Sequence, residues 1–291
     1  MTDMTGSRAD PAPAGLEGSA GSGHPVPRIV LAHVSDLHIG AHLPAAAAAL
    51  PADVADADPT LTVLTGDLTM RARPAQLAAA RALLDRLPAP RLVVLGNHDV
   101  PLLDVRSRLL HPYDRYRSAI DSELDPVCDL PGLRVLGLES MPRWRWKSGR
   151  VSRRQADLVV DVLGGAPPGA LRVLALHHPP SLRGPARLAG RERLAAALAR
   201  ARVDLVLAGH THVPAAGWLA TPRPSGADNT HRVVEAVAGT AISARLRGGD
   251  PSWSLIRAGP AFIEVQTRWY GPDGWRTGAT RRFPRPGRCA G

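Results

Sequence analysis

An α/β layered fold is what this sequence predicts, and three observations predict it. Short apolar runs alternate with helical patterns from residue 28 to about residue 210. Beyond that the helical pattern stops, and strand-like runs follow one another between Gly/Pro turns. Hydrophobic residues are 44% of the 291 and aromatic residues only 4%, so the core is sizeable and aliphatic. Alternating strands and helices build a layered sheet, and the closing strands complete it.

The elements can be justified in order. Residues 28–35 (RIVLAHVS) read as a buried first strand, with Asp36 and His38 just past its end. The Ala-rich stretch from Pro44 to Val54 is helix-like but broken by prolines. Residues 60–65 (TLTVLT) are a second strand, ending in Gly66-Asp67. Residues 74–87 form the clearest helix, with Pro74 in the first turn and Leu77, Leu83, Leu84 and Leu87 on one side. Leu92 to Leu95 are a third strand, closed by Gly96-Asn97-His98-Asp99. Residues 101–127 turn charged and aromatic and read as an insertion over the strand ends. Residues 133–138 return to strand, 141–150 (MPRWRWKSGR) are a polar loop, and 152–163 a helix. A strand at 171–176 ends in His177-His178, a helix spans 190–202, and a strand at 203–208 ends in Gly209-His210-Thr211-His212. RVVEAVAG, SWSLIRA and AFIEVQTRWY are the strands that follow.

The flanks differ from this body. Residues 1–27 are rich in Gly, Ala, Pro and Ser and lack an apolar h-region, which predicts a disordered leader rather than a signal peptide. The domain then covers 28–275, with lid-like insertions at 101–127 and 141–150. Residues 276–291, with Arg281, Arg282, Arg285 and Arg288 among prolines, predict a basic flexible tail. No run of about 18 apolar residues is present, so no membrane span is expected. Cys128 and Cys289 lack metal spacing and read as free thiols of a cytoplasmic protein. The net charge of +10 suits an anionic partner such as nucleic acid. However, Lys147 is the only lysine while arginine and alanine abound throughout, which points to compositional bias more than to a binding face. The lid and the C-terminal strands leave a homo-oligomer open.

Five strands end in polar side chains: Asp36/His38, Asp67, Asn97/His98, His177 and His210/His212. In layered α/β sheets the ligand site lies beyond the carboxyl ends of the strands, so these residues should converge. Oxygen and imidazole donors without thiolate suit Mn, Fe, Zn, Co or Mg. The set is too large for one tetrahedral ion and fits two ions sharing a carboxylate, the usual machinery for phosphoester displacement. Trp144, Trp146, Tyr113 and Tyr116 offer ring faces to a nucleobase, although packing on the sheets accounts for them without a ligand. Arg71, Arg73, Arg150 and Arg245 could meet a phosphate, but in so arginine-rich a chain each is first a surface residue. His33 and His42 read as structural.

SDLH at 35–38, GD at 66–67, GNHD at 96–99, HHP at 177–179 and GHTH at 209–212 resemble the five ordered blocks of the calcineurin-like metallophosphoesterase superfamily. The resemblance covers roughly residues 28–240. SDLHIG with GNHD and HHPP is most similar to the small bacterial branch of cyclic-nucleotide and glycerophospho-diesterases. It implies a four-layer αββα sandwich of two mixed sheets. It implies that Asp36, His38 and His212 hold one metal and Asn97, His177 and His210 a second. Asp67 then bridges them, beside a shared water or hydroxide that attacks phosphorus. His98 matches the histidine that contacts the phosphate and assists the leaving oxygen, with Asp99 orienting it. His178 either touches substrate or packs. The expected function is hydrolysis of a small organic phosphodiester, a cyclic nucleotide among the candidates. A phosphomonoesterase or a nuclease would share the centre, and a non-catalytic scaffold is the alternative of another class.

Overall fold

The computed structural model describes residues 29–219, 232–247 and 249–285. In chain order the elements are β1 (Ile29–Val34), α1 (Pro44–Asp56), β2 (Leu61–Thr65), α2 (Pro74–Leu84), β3 (Arg91–Val94), α3 (Val105–Leu110), α4 (Asp114–Ala119), β4 (Val127–Leu130) and β5 (Leu133–Leu138). There follow α5 (Arg153–Gly164), β6 (Leu171–Leu176), α6 (Arg191–Arg200), β7 (Leu205–Ala208), β8 (Ala215–Leu219), β9 (Val233–Val237), β10 (Ser252–Ala258), β11 (Phe262–Gly271) and β12 (Gly274–Pro284). One mixed sheet has the order β12-β11-β10-β1-β2-β3 and the other β4-β5-β6-β7-β9-β8.

Strand alternation sorts the side chains into three cores. Leu31, Leu61, Val63, Leu92 and Val94 of the first sheet meet Val135, Leu171, Val173, Leu205 and Leu207 of the second, which places the sheets face to face. The next residues along, Ala32, Val34 and Leu64, point outward and pack under Leu50 and Val54 of α1 and Leu77 and Leu83 of α2. Leu136, Leu174, Leu176 and Val206 do the same under Val159 and Leu163 of α5 and Leu194 and Leu198 of α6. Helix, sheet, sheet, helix is the expected αββα sandwich. Each buried aliphatic side chain contributes about 1.5–3 kcal/mol, which is how an aromatic-poor sequence holds two six-stranded sheets together.

Several local expectations are corrected. Pro51 does not break the Ala-rich helix: α1 runs through it, and Leu50, Pro51 and Val54 are buried against the first sheet. That burial offsets the hydrogen bond a mid-helix proline removes. The 101–127 insertion contains α3 and α4. The supposed flexible tail is mostly strand. β12 pairs with β11 in antiparallel register, with Ile263 opposite Phe283 and Val265 opposite Arg281. Phe283 is buried edge-on against Trp218, and Arg281 reaches the Ala216 carbonyl. The ladder and these anchors outweigh the charge. The proposed leader and residues 286–291 lie outside the described residues.

Candidate metal centre

β1, β2 and β3 are parallel to one another, as are β5, β6 and β7. Their carboxyl ends therefore open onto one rim. Asp36, His38, Asp67, His210 and His212, just beyond those ends, have φ of 54°, 48°, 53°, 70° and 62°. A side-chain-bearing residue in the left-handed region costs of order 1–3 kcal/mol, and such strain clusters at functional sites. The tight turns need glycine beside them. A Cβ on Gly96 would strike Asp67, and one on Gly209 would strike Ser35 and Asp36.

Two groups of donor atoms result. In the first, His38 Nε2 lies 3.0 Å from His212 Nε2. Asp36 Oδ1 lies 3.2 Å from His212 Nε2 and 3.6 Å from His38 Nε2. In the second, Asn97 Oδ1 lies 3.2 Å from His177 Nε2 and 3.1 Å from His210 Nδ1. Those two imidazole nitrogens are 3.3 Å apart. Asp67 stands between the groups: its Oδ2 is 3.7 Å from His38 Nε2 and 3.4 Å from His177 Nε2. Its Oδ1 accepts the His98 backbone N–H at 2.8 Å, which leaves Oδ2 to face both sides.

This arrangement fits cations. Asp36 Oδ1 is buried and has no hydrogen-bond partner among the described residues. A buried acceptor without a donor is costly, and here it points at two imidazole nitrogens. Carbonyl oxygens orient the rings from behind. His177 Nδ1–H donates to Thr65 O at 2.7 Å, and His212 Nδ1–H donates to Arg245 O at 2.7 Å. In each case Nε2 is left as the lone-pair atom facing the carboxylates. Nitrogen and oxygen donors alone are present, which suits the first-row divalent ions and Mg.

The electrostatics agree. Burial alone would raise the Asp67 carboxyl, but the neighbouring charges and bonds of His177, then His38 and His98, hold it well below the carboxylate range. Burial likewise opposes ionisation of Asp36, and the adjacent His212 and His38 rings, then His177, reverse that. For His177, burial lowers and Asp67 more than compensates, so its pKa rises to about 9. His210, buried next to His177, falls to about 4. The two anionic carboxylates draw positive charge towards them: the raised His177 pKa is one expression of that pull, and a cation held among these donors would be another.

Two expected roles differ from the geometry. Asp99 does not orient His98. Its carboxylate is buried and accepts the backbone N–H groups of Leu68, Thr69 and Gly96 at 3.1, 2.8 and 2.9 Å. It ties the β2 and β3 turns together, while His98 Nδ1–H donates to Met70 O at 2.8 Å. His178 does not face substrate. It is buried, its Nδ1 lies 2.9 Å from Ser140 Oγ and its Nε2 donates to Lys147 O at 3.0 Å. Although His178 lies beside His177 and His210, both nitrogens are engaged, so Asn97 is the third donor of that group. His33 is buried on Thr65 Oγ1 at 2.9 Å, and His42 accepts the Gly40 N–H, consistent with structural roles.

Above the donors lies a cavity of about 230 Å³, lined by Asp67, Asn97, His98, His210 and His212 and by Leu102, Trp146, Lys147, Arg245 and Arg247. Trp146 and Arg245 are among the ring and arginine candidates named from the sequence, whereas Leu102, Lys147 and Arg247 are not, because nothing in local spacing says which loop folds over the rim. The Thr65 and Met70 carbonyls are equally silent in sequence.

The family model of the calcineurin-like phosphoesterases matches residues 29–214, which contain every donor described above. The chain belongs to the calcineurin-like phosphoesterase family. This family match also supports a metal-binding centre here. The chain is 35% identical over 210 residues to a probable cyclic nucleotide phosphodiesterase of Rhodococcus erythropolis, covering 65% of this chain and 66% of that protein. It is 30% identical over 210 residues to a cAMP/cGMP dual specificity phosphodiesterase of Mycobacterium tuberculosis, covering 65% and 63%. The match thus spans just under two thirds of those relatives. The fold resembles that of a purple acid phosphatase from yellow lupin, with TM-score 0.68 and 12% identity over 90% of this chain and 55% of that one. It also resembles GAP50 of Plasmodium, with TM-score 0.59 and 10% identity over 90% of each chain. Both likenesses concern the fold.

Proposed function

We propose that this chain is a dinuclear metal-dependent phosphodiesterase that hydrolyses a small organic phosphodiester, with cyclic nucleotides the leading substrate class. The observation that carries this is Asp67 Oδ2 standing between two groups of donors. Relatives named as cyclic nucleotide phosphodiesterases support the diester over the monoester. Asp36, His38 and His212 would hold one ion and Asn97, His177 and His210 the other, with Asp67 shared; Mn, Fe, Zn, Co and Mg all suit these donors. A pair of cations there supplies Lewis acidity and charge neutralisation for phosphoester hydrolysis.

The remaining chemistry belongs to the chain. Asp36 is held in place by Ser35 Oγ and the His210 backbone N–H, which donate to its Oδ2 at 2.6 and 3.0 Å. His98 is fixed by Met70 O with Nε2 toward the cavity, so Nε2 is the atom that hands a proton to the leaving oxygen. Burial lowers its pKa, with Asp67 opposing, which makes the protonated ring a better acid. We place the protein in the cytoplasm; among the described residues no helix is long and apolar enough to cross a membrane.

The test is hydrolysis of bis-p-nitrophenyl phosphate beside p-nitrophenyl phosphate, after chelation and Mn²⁺ addition. Diester turnover should require metal and vanish in Asp67→Ala. His98→Ala should keep its metal and lose about 10²–10⁴ in kcat. Preference for the monoester would make the protein a phosphatase. Two bound metals with no turnover of either ester would favour a scaffold.

A further inference from the structure

We infer that Arg245 binds substrate in this site: its guanidinium takes a phosphoryl oxygen of the phosphoester at the mouth of the cavity, beside His98. The inference rests on the phosphoesterase reading above and adds a residue to it.

Arg245 lies between β9 and β10, and its backbone is fixed to the donor groups. Its carbonyl accepts His212 Nδ1–H, and its N–H donates to Ser243 Oγ at 3.0 Å. The side chain then reaches across the cavity. Nη1 lies 3.2 Å from His98 Nε2 and 3.8 Å from Met70 Sδ. Neither of these contacts carries a negative charge.

No carboxylate pairs with Arg245 among the described residues. Other arginines of this chain do find one: Arg268 meets Asp53, Arg276 meets Asp250 and Arg285 meets Asp204. A half-buried guanidinium that faces only neutral acceptors has given up water without gaining a counter-charge. Arg108 shows that three carbonyls can satisfy a buried guanidinium in this chain, but among the described residues Arg245 has only one ring nitrogen and one thioether, which leaves donors for an anion that comes and goes. Among the described residues, Asp67 is the only acid that lines the cavity, against Lys147, Arg245 and Arg247. A planar guanidinium has five donors suited to phosphate oxygens, and His98 engages one of them. A phosphoryl oxygen taken by Nη1 exchanges that neutral contact for a charge-assisted one and leaves Nε2 free beside it.

Inorganic phosphate, the simplest anion of the class, is the probe. Its affinity for the Mn²⁺-loaded protein is measured by calorimetry, alongside KM for bis-p-nitrophenyl phosphate and metal content. Arg245→Met keeps the stem and the backbone carbonyl and removes the charge. It should weaken phosphate roughly 10- to 100-fold and raise KM, with metal content unchanged. Arg245→Lys should recover part of the loss. Arg282→Met on β12 makes the same charge change far from the site and should leave phosphate affinity within about twofold. Phosphate affinity of Arg245→Met within about twofold of the unsubstituted protein would overturn the inference. So would a parallel loss of metal, which would restrict Arg245 to supporting His212. If no ester is hydrolysed but phosphate binding depends on Arg245, the inference stands and the phosphodiesterase reading falls.

Discussion

His33 shows what a single buried residue does to this molecule. It faces between the sheets with Nδ1 unpartnered, and burial lowers its pKa from the usual 6.5 to about 3 despite the Asp36 charge. The folded state therefore refuses a proton that the unfolded chain accepts. The sign follows: this contribution to stability is complete above about pH 6.5 and is lost as pH falls towards 3. Between pH 7 and 4 it amounts to roughly 3 kcal/mol. His33→Gln should flatten the acid side of the stability curve by about that amount, measured by urea unfolding at each pH. An unchanged slope would assign acid sensitivity to other groups. Asp99 teaches a complementary lesson. Its position in GNHD invited a partnership with His98, but three backbone N–H groups compete for the same carboxylate and win.

At the scale of elements, one buried residue makes most of the bonds that tie the lid together, with Arg143 Nη1 adding one to Leu109 O at 2.9 Å. Arg108 on α3 is buried and donates to three carbonyls: Pro101 and Arg143, each at 2.9 Å, and Arg145. Its guanidinium also lies 4.5 Å from the centroid of the Trp146 ring. Trp146 remains 49% exposed and lines the cavity. One guanidinium thus joins the 101–110 segment to the 143–146 segment, while His178 anchors the neighbouring Lys147 carbonyl. Arg108→Ala leaves three carbonyls unpaired, each costing about 1–3 kcal/mol where water cannot reach. The loss is local, so trypsin cleavage after Arg143, Arg145 or Lys147 should speed up by roughly tenfold or more. KM should rise more than kcat falls. Arg108→Lys should not rescue, because one ammonium cannot span three carbonyls. An unaltered cleavage rate would show that the lid is fixed elsewhere.

For the whole molecule, the centre sits where both sheets end, so its charge balance enters global stability. Two buried carboxylates, Asp36 and Asp67, share one rim with five imidazoles. Binding of cations to the folded state alone adds about 2.7 kcal/mol per site at a hundredfold excess over Kd. For a domain of this size that corresponds to roughly 5–10 °C in Tm per site. Chelation should lower Tm by at least this much and Mn²⁺ should restore it, read by scanning calorimetry. A Tm indifferent to chelator would argue against a metal centre. The overall charge of +10 has a different meaning at this scale. Arg268, Arg276 and Arg285 on and beside β11 and β12 pair with carboxylates, so part of that charge is balanced locally.

The sequence by itself determined the layers and the donors. Apolar runs at strand and helix periods place residues inside or outside wherever the chain goes, and polar residues after a buried strand must lie at its end. Hence the strand ends that carry Asp36, Asp67, Asn97, His177 and His210 were legible. Only the tertiary structure decided what meets whom. Asp99 on the β2 turn, His178 on the lid, Arg245 on His98 and Arg108 on Trp146 are contacts between segments 31 or more residues apart. Such pairings depend on sheet order and loop path, which local periodicity does not encode. The arginine-rich end was misread for the same reason: whether charge makes a tail or a strand depended on a partner edge, β11, waiting to be paired.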